Sequence, residues 1–265
     1  MLADHLLFLL PPASDPVAMT VLMLAGLTGL ALGSFVQAAA IRLNRDEDIV
    51  FTPSACRQCE SPLTLSQNLP VLGWLLTWGR CRQCGERFSP QYLIVEVMMG
   101  GLAVLFCWLY PLPVAAGLVL ATSLMMICAL TDLEKMLLHL PVMVALGGMG
   151  LIFAFMPFWP VSVIGAILGM FVPAILLMLI NLIYRLVRGE DGFGSGDVWL
   201  LAAAGAWLGP AVTVILFFLS AIIGAVVGIM MISLGRGSGT TALPFGVFIS
   251  LVFIFWPILN ILVII

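Results

Sequence analysis

Long apolar runs follow one another along almost the entire chain, and they limit its fold more than any other feature. Hydrophobic residues make up 63% of the chain and charged residues 9%, whereas about a quarter of the residues in soluble globular domains are charged. The runs fall at residues 17–40, 92–110, 112–130, 140–156, 161–184, 198–208, 211–234 and 243–265. Since about 20 apolar residues cross a bilayer as a helix, the sequence predicts an all-α polytopic membrane protein with about eight transmembrane helices.

The basic residues predict how these helices are oriented. If the N-terminus lies outside, all ten Lys and Arg residues fall in segments on the cytoplasmic side, as the positive-inside rule requires. Omitting the short sixth run, residues 198–208, would move Arg236 to the outside. We therefore expect both termini outside, with residues 1–16 as a short external leader and residues 17–40 as the first transmembrane helix.

One connection between the apolar runs is long enough to form a domain. Residues 41–91 contain two Cys-x-x-Cys pairs, with 21 residues between the pairs. This spacing favours a closed, structural zinc site, because four thiolates leave no coordination position for a reacting water. Two disulfides are the alternative, which a reducing cytoplasm disfavours. We therefore predict a small cytoplasmic zinc-ribbon-like domain between the first and second helices. Its predicted ligands are Cys56, Cys59, Cys81 and Cys84.

Two aspartates lie at the ends of apolar runs, where a carboxylate is costly. Asp132 follows the run 112–130, and Asp197 follows Gly194-Ser195-Gly196 at the start of the sixth run. Glycines let another chain approach the backbone closely, and a protease needs such access because a peptide bond within a helix is shielded. Two carboxylates at one membrane boundary, beside a glycine-rich loop, therefore indicate acid/base chemistry on a peptide bond.

Two other functions fit parts of this pattern. Asp132 and Asp197 would form a proton relay in a proton-coupled transporter with a zinc-stabilised cytoplasmic module, although no inverted repeat is apparent. Alternatively, the helices anchor a zinc module that docks a cytoplasmic partner, which leaves the glycine loop unexplained. Replacing either aspartate by Asn separates these functions, because only a protease then loses peptide cleavage while it still folds.

Other residues within the apolar runs are expected to act inside the bundle. Glu96 should point into the bundle or toward its cytoplasmic mouth, or pair with an Arg of the predicted zinc domain. Three pairs of glycines four residues apart predict close contacts between helices. The pairs are Gly29 and Gly33, Gly165 and Gly169, and Gly224 and Gly228.

Several motifs, taken together, resemble one family. They are Gly33-Ser34-Phe35, the two cysteine pairs, Asn68-Leu69-Pro70-Val71-Leu72, Ser89-Pro90-Gln91-Tyr92 with Glu96, Asp132-Leu133, Gly194-Ser195-Gly196-Asp197, and Ala242-Leu243-Pro244-Phe245-Gly246. This set resembles the bacterial prepilin peptidases, which are membrane aspartic proteases of the Gly-x-Gly-Asp class.

The resemblance implies a bifunctional enzyme of the bacterial inner membrane. Such an enzyme cleaves the basic leader of type IV prepilins and type II secretion pseudopilins on the cytoplasmic side, then methylates the new N-terminal amine with S-adenosylmethionine. It implies Asp132 and Asp197 as the catalytic pair, the four cysteines as zinc ligands, residues 41–91 as a methyltransferase-associated domain, and residues 92–265 as a seven-helix peptidase core.

The expected partners follow from the same resemblance and from the charges. Prepilins or pseudopilins are the expected substrates, and no nucleic-acid partner is expected. The arginines around the cysteine pairs favour anionic lipid headgroups or acidic residues of the mature pilin over a lysine-rich leader. These arginines are Arg57, Arg80, Arg82 and Arg87. The sequence has no glycine-rich Rossmann fingerprint, so it does not identify residues that bind S-adenosylmethionine.

The chain departs from the family pattern near both aspartates and in the first span. The family usually has Leu-Pro-Asp after the first aspartate, where this chain reads Leu138-His139-Leu140-Pro141. A Lys commonly follows the second aspartate by two residues, where this chain has Trp199, and Gln37-Ala38-Ala39 replaces an Asn-rich pattern. No carboxylate or thiolate is lost, so we expect altered substrate handling with peptidase activity retained.

An aspartic protease shares one proton between two carboxylates, and the helix ends predict which aspartate holds it. Asp197 lies near the start of a helix, where the helix dipole favours an anion, and Asp132 lies near the end of one. There the anion is disfavoured by roughly 0.3–1 kcal/mol. We therefore expect Asp197 to be the ionised base and Asp132 the protonated acid before substrate binds.

Overall fold

A computed structural model of the protein describes residues 15–189, 192–236 and 242–264. Within these residues the regular structure consists of helices, with two isolated β-bridges. The helices are α1 (Pro16–Leu43), α2 (Leu65–Asn68), α3 (Leu72–Leu76), α4 (Gln91–Leu109), α5 (Leu112–Lys135), α6 (Leu140–Ala154), α7 (Val163–Arg188), α8 (Ser195–Ser233) and α9 (Phe245–Ile264). The external leader predicted at residues 1–16 lies outside the described residues, apart from its last two.

Every apolar run of the sequence forms a helix, which confirms the predicted all-α fold. Five helices, α1, α4, α5, α7 and α8, are long and apolar enough to cross a membrane, and α6 and α9 are shorter apolar helices. The sixth and seventh runs are joined in α8, whose backbone leaves the helical conformation at Gly209, with φ 75° and ψ 172°. Pro210 follows directly, and proline disrupts the preceding helical turn. The α8 element therefore consists of two helical segments that correspond to the two predicted runs.

Local sequence signals set the ends of the long helices. The carboxylate of Asp15 accepts a hydrogen bond of 3.0 Å from the amide of Val17, and Pro16 occupies the first helical position of α1, where its missing amide costs nothing. Ser162 caps α7 in the same way. That helix ends at Gly189, whose φ of 80° suits a residue without a side chain.

The chain divides into two compact units, Met1–Ser123 and Leu124–Ile265. In the first unit α1 packs along α4 at Gly29 and Gly33, as the glycine spacing predicted. A Cβ placed on Gly33 would lie 2.7 Å from the Cα of Glu96, so the two backbones approach too closely for a side chain.

In the second unit the closest helix contact joins α7 to α8. Gly169 and Gly205 face each other there, each against the other's carbonyl group, which confirms the close contact predicted at Gly169. Gly224 lies on the ring of Phe248 in α9. These contacts hold α7 and α9 against α8. The domain boundaries at residues 41–91 and 92–265 stay predictions.

Candidate active site and metal centre

Asp132 lies in the last turn and a half of α5, and it is 5% exposed. Its Oδ2 atom accepts a hydrogen bond of 3.1 Å from the amide of Val247 and another from the amide of Gly246. Both amides belong to the first turn of α9. A Cβ placed on Gly246 would lie 2.9 Å from Asp132 Oδ2, so this approach requires a glycine at position 246.

Asp197 is the third residue of α8, and it is 9% exposed. Its Oδ2 atom accepts a hydrogen bond of 3.1 Å from the amide of Gly194, whose carbonyl accepts from the Asp197 amide at the same distance. The carboxylate therefore caps its own helix. Gly196 packs on Leu138, because a Cβ at position 196 would lie 3.1 Å from the Leu138 Cβ.

Both carboxylates line one cavity of about 430 Å³ within the second unit. The cavity wall also contains Gly194, Ser195 and Gly196, so it brings together all the predicted residues of the peptidase site. Its other lining residues are Met136, Leu137, Leu138, Leu140, Met143 and Trp199. Two buried acids in one cavity are a suitable arrangement for acid/base chemistry, because burial makes it costly for both to carry a charge at once.

The surroundings of Asp132 remove the basis for the predicted proton assignment. The sequence places Asp132 near the C-terminal end of its own helix, but the structure brings its carboxylate to the N-terminus of α9, where Val247 donates. Asp197 lies at the N-terminus of α8. Each carboxylate therefore faces the positive end of a helix dipole, and this argument no longer distinguishes the acid from the base.

Asn181 is a further polar residue that supports the Asp197 loop, and the sequence reasoning missed it. Its Oδ1 atom, projecting from α7, accepts hydrogen bonds of 2.7 Å from the amide of Gly192 and 3.1 Å from that of Phe193. These two residues directly precede Gly194. The available signal was that Asn181 is the one amide side chain in the apolar run 161–184.

Three phenylalanines connect the loop before Asp197 to the start of α9, which holds Asp132. The ring of Phe193, in the loop before Asp197, lies 5.1 Å from the ring of Phe245 at the start of α9. Phe217 of α8 contacts both, with centroid distances of 6.0 Å and 6.2 Å. Such pairs contribute about 0.5–1.5 kcal/mol beyond their burial. The cluster therefore fixes the Asp197 loop against the helix end that holds Asp132.

The departures from the family pattern near the two aspartates lie at or beside this cavity. Leu140 and Trp199 are among its lining residues, and His139 is the N-terminal cap residue of α6. Leu138 packs against Gly196. That these residues alter substrate handling stays a prediction. Their position at the wall of the cavity is consistent with such an effect.

The two cysteine pairs form matching turns. The amide of Glu60 donates to the carbonyl of Cys56, and the amide of Gly85 donates to that of Cys81, at 2.9 Å and 3.0 Å. Glu60 and Gly85 both have positive φ values, 55° and 74°. The position after the second cysteine of each pair therefore needs a left-handed backbone, which glycine adopts without strain.

The four cysteine sulfurs form one cluster, in which all lie within 4.8 Å of one another. The Sγ atoms of Cys56 and Cys84 are 3.7 Å apart, and those of Cys59 and Cys81 are 3.9 Å apart. Tetrahedral zinc with bonds of about 2.3 Å requires sulfur separations of about 3.8 Å. The donor set and its spacing therefore fit a structural Zn²⁺ ion.

The protonation chemistry of the cluster also fits a cation. The amides of Cys84 and Gln83 donate to the Cys81 sulfur and lower the pKa of Cys81 to about 6. The amide of Glu86 donates to Cys84, yet burial and the neighbouring sulfurs raise the pKa of Cys84 to about 12. Thiolates this close repel one another, so a central cation is needed for all four to be charged.

Glu96 joins this segment to the membrane helices. Its Oε2 atom accepts a hydrogen bond of 2.6 Å from the amide of Val71, and the hydroxyl of Ser34 donates to the same carboxylate. Glu96 therefore points into the protein, as predicted, and its partner in the segment is a backbone amide where the sequence suggested an Arg. On the same pair of helices, Gln37 donates to the carbonyl of Tyr92 at 2.9 Å.

Comparison with known proteins gives two family matches and several close relatives. The profile of the Bacterial Peptidase A24 N-terminal domain matches residues 27–110, and that of the Type IV leader peptidase family matches residues 119–229. A protein named prepilin leader peptidase/N-methyltransferase from Pseudomonas putida is 32% identical over 256 residues, which are 86% of this chain and 87% of that protein.

Two further proteins with this name support the match. The one from Klebsiella pneumoniae is 36% identical over 191 residues, 69% of this chain and 83% of its own length. The one from Aeromonas salmonicida strain A449 is 34% identical over 203 residues, with corresponding shares of 75% and 68%. No solved structure matches the chain significantly. On these sequence matches, the chain belongs to the type IV leader peptidase family.

Proposed function

We propose that the chain is a leader peptidase of the bacterial inner membrane that cleaves prepilins or pseudopilins and methylates the new N-terminal amine. The observation that carries the peptidase function is the single cavity lined by Asp132, Asp197 and the loop Gly194-Ser195-Gly196. The names of the relatives, prepilin leader peptidase/N-methyltransferase, supply the substrate class and the second activity. A proton-coupled transporter is not favoured by these relatives.

The chemistry assigned to the cavity is hydrolysis by a pair of carboxylates that share one proton. The ionised aspartate accepts a proton from a water molecule as the water oxygen attacks the scissile carbonyl carbon. The protonated aspartate donates its proton to the carbonyl oxygen, and the tetrahedral intermediate then collapses as the leaving nitrogen takes up a proton. The amides of Gly194 and Val247 hold the two carboxylates in place during these transfers.

The glycines before Asp197 have a separate role in substrate access. Gly194 and Gly196 line the cavity, and side chains at these positions would narrow the space beside the carboxylates. A substrate strand that has been drawn out of its helix fits such a surface, because its backbone approaches the enzyme backbone directly. In the proposed topology this cavity opens toward the cytoplasm, where the basic leader lies.

Methylation is assigned to the zinc-containing segment, with S-adenosylmethionine as the proposed methyl donor. Four cysteine ligands close the metal off from substrate, so zinc acts there by folding residues 41–91 into a rigid platform. The peptidase residues lie in the compact unit Leu124–Ile265, which does not include this segment. Loss of the metal should therefore affect methylation more than cleavage.

The first prediction tests the carboxylate pair. Asp132→Asn and Asp197→Asn should each lower the kcat of leader cleavage by about 10²–10⁴-fold, because each removes one partner of the proton transfers. Cleavage of a purified prepilin is measured on gels. Asp48→Asn, in the connection after α1, is the control and should cleave at the normal rate. Inserted, folded aspartate variants that cleave within tenfold of the wild type would contradict the assignment.

The second prediction concerns Asn181 as a positioning residue. Asn181→Leu removes the acceptor for two loop amides, and a hydrogen bond contributes about 0.5–1.5 kcal/mol. We expect the kcat of cleavage to fall about tenfold with little change in KM. Asn181→Asp keeps an oxygen at this position and should restore most of the rate.

A purely structural role for Asn181 predicts a different pattern. Both variants would then change thermal stability and the yield of folded protein, with kcat per folded molecule unchanged. Asn260→Leu, an exposed amide on α9, is the matched control and should leave kcat unaltered. A normal kcat in folded Asn181→Leu would reject the positioning role, and so would a failure of Asn181→Asp to recover the rate that Asn181→Leu loses.

The third prediction concerns the cysteine cluster. Cys56→Ser combined with Cys81→Ser should abolish zinc binding, measured by metal analysis of the purified protein, and should abolish N-methylation. Cleavage should be reduced but detectable. Mass spectrometry of the processed pilin reports both activities in one spectrum. Cys107→Ser, outside the cluster, is the control. The assignment is wrong if the double variant methylates normally, or if it is inserted and cleaves nothing.

A further inference from the structure

The short helix α3 presents an apolar face that the described residues of this chain do not cover. Leu72, Leu75 and Leu76 are exposed, the last by 63%. Their spacing of three and four residues places them on one side of the helix. The other side is packed, because Gly73 lies against the backbone of Gln67.

This face continues at both ends of α3. Leu69 precedes the helix and is exposed, and Trp78 follows it with 85% of its surface exposed. We call these five residues the leucine face: Leu69, Leu72, Leu75, Leu76 and Trp78. Exposed apolar side chains of this size, grouped along a few turns of chain, mark an interaction site rather than ordinary surface.

A hydrogen bond fixes the position of the leucine face along the axis of the membrane helix α4. The amide of Val71, the residue before α3, donates to Oε2 of Glu96 at 2.6 Å. Glu96 is the sixth residue of α4 (Gln91–Leu109), a helix long and apolar enough to cross a membrane, so it lies about 8 Å along the axis from the start of that helix. With 19 residues α4 is about 28 Å long, close to the thickness of the hydrocarbon core of a bilayer, so its first turns lie at the membrane boundary. Helix α3 begins beside these turns.

The charges beside the leucine face match the same environment. Arg80 and Arg82 follow Trp78 within four residues, and basic side chains at the membrane surface attract anionic lipids. Tryptophan is enriched at the boundary between headgroups and hydrocarbon. An apolar face flanked by arginines is the combination that binds peripheral segments to membranes.

We propose that the leucine face inserts into the headgroup region of the membrane that the protein spans. The segment between α1 and α4 is then held at three places: at each end by a spanning helix, and between them by α3. The hydrogen bond from Val71 to Glu96 sets the insertion depth. Insertion would fix the zinc cluster at a constant height above the hydrocarbon, independently of whether the proposed peptidase function is correct.

The test uses the full-length protein in lipid vesicles. Trp78→Phe is a mild change at an exposed side chain, so the fluorescence of the wild type minus that of the variant isolates Trp78. Vesicles of phosphatidylcholine and phosphatidylglycerol carry bromine either near the headgroup end of the acyl chains or near their termini. We expect the difference signal to be quenched at least twofold more by the shallow bromines. A signal insensitive to both bromines, but quenched by aqueous iodide, would overturn the proposal.

A crosslinking experiment separates lipid from the other possible occupants. The photoreactive residue p-benzoylphenylalanine replaces Leu75 in one variant and Gln83, an exposed polar position in the second cysteine turn, in the control. After irradiation in native membranes, mass spectrometry should show lipid adducts at position 75 and none at position 83. Adducts to a second copy of this chain or to a pilin at position 75, without lipid adducts, would contradict insertion.

The zinc content of each variant is the folding control for both tests. Each variant should retain the same metal content as the wild type, which shows that the cysteine turns around α3 are folded. If the Leu75 variant lacks zinc, the same photoreactive residue is placed at Trp78, whose side chain has little packing to lose. Absence of lipid adducts at position 78 in a zinc-loaded variant would then overturn the proposal.

Discussion

The candidate site depends on two carboxylates that backbone amides hold at the N-termini of two helices. Asp197 binds the amide of Gly194 in its own loop, and Asp132 binds the amides of Gly246 and Val247 across the bundle. A carboxylate in an apolar wall is stable only when such donors replace water. Phe193 and Phe245, 5.1 Å apart, keep the two helix ends together, so the distance between the acids is set by packing rather than by either loop alone.

In the first compact unit, the segment between α1 and α4 has little hydrophobic core of its own. Its two buried cysteines, Cys56 and Cys81, are the principal apolar interior that it offers. A metal ion held by the four cysteines would supply the missing stability, as in other small domains. Glu96 then connects this segment to the helices through one partly buried hydrogen bond to Val71, which ties its position to the first turns of α4.

Features that depend on neighbouring residues were predictable from the sequence, and features that depend on distant ones were not. The apolar runs, the cysteine spacing and the loop Gly194–Asp197 are local patterns, and the structure forms the helices, the sulfur cluster and the cavity that they indicate. The partner of Asp132 is 115 residues away along the chain, and no local rule connects the two. The predicted proton assignment lost its basis for this reason and stays untested: it considered the helix that carries Asp132 and could not include the helix end that receives it. Asn181 was missed because an isolated polar residue in an apolar run has no evident partner until the fold is known.

The most direct measurement of the central claim is a carboxyl-stretch infrared difference spectrum at neutral pH. The spectrum of the wild type minus that of the Asp132→Asn, Asp197→Asn double variant isolates the two acids from every other carboxyl group. If the pair shares one proton, the difference contains one protonated-carboxyl band and one carboxylate band, and either single replacement removes the protonated band because the remaining acid then ionises alone. A difference spectrum with two carboxylate bands and no protonated band would show that the acids titrate independently, and it would contradict the account.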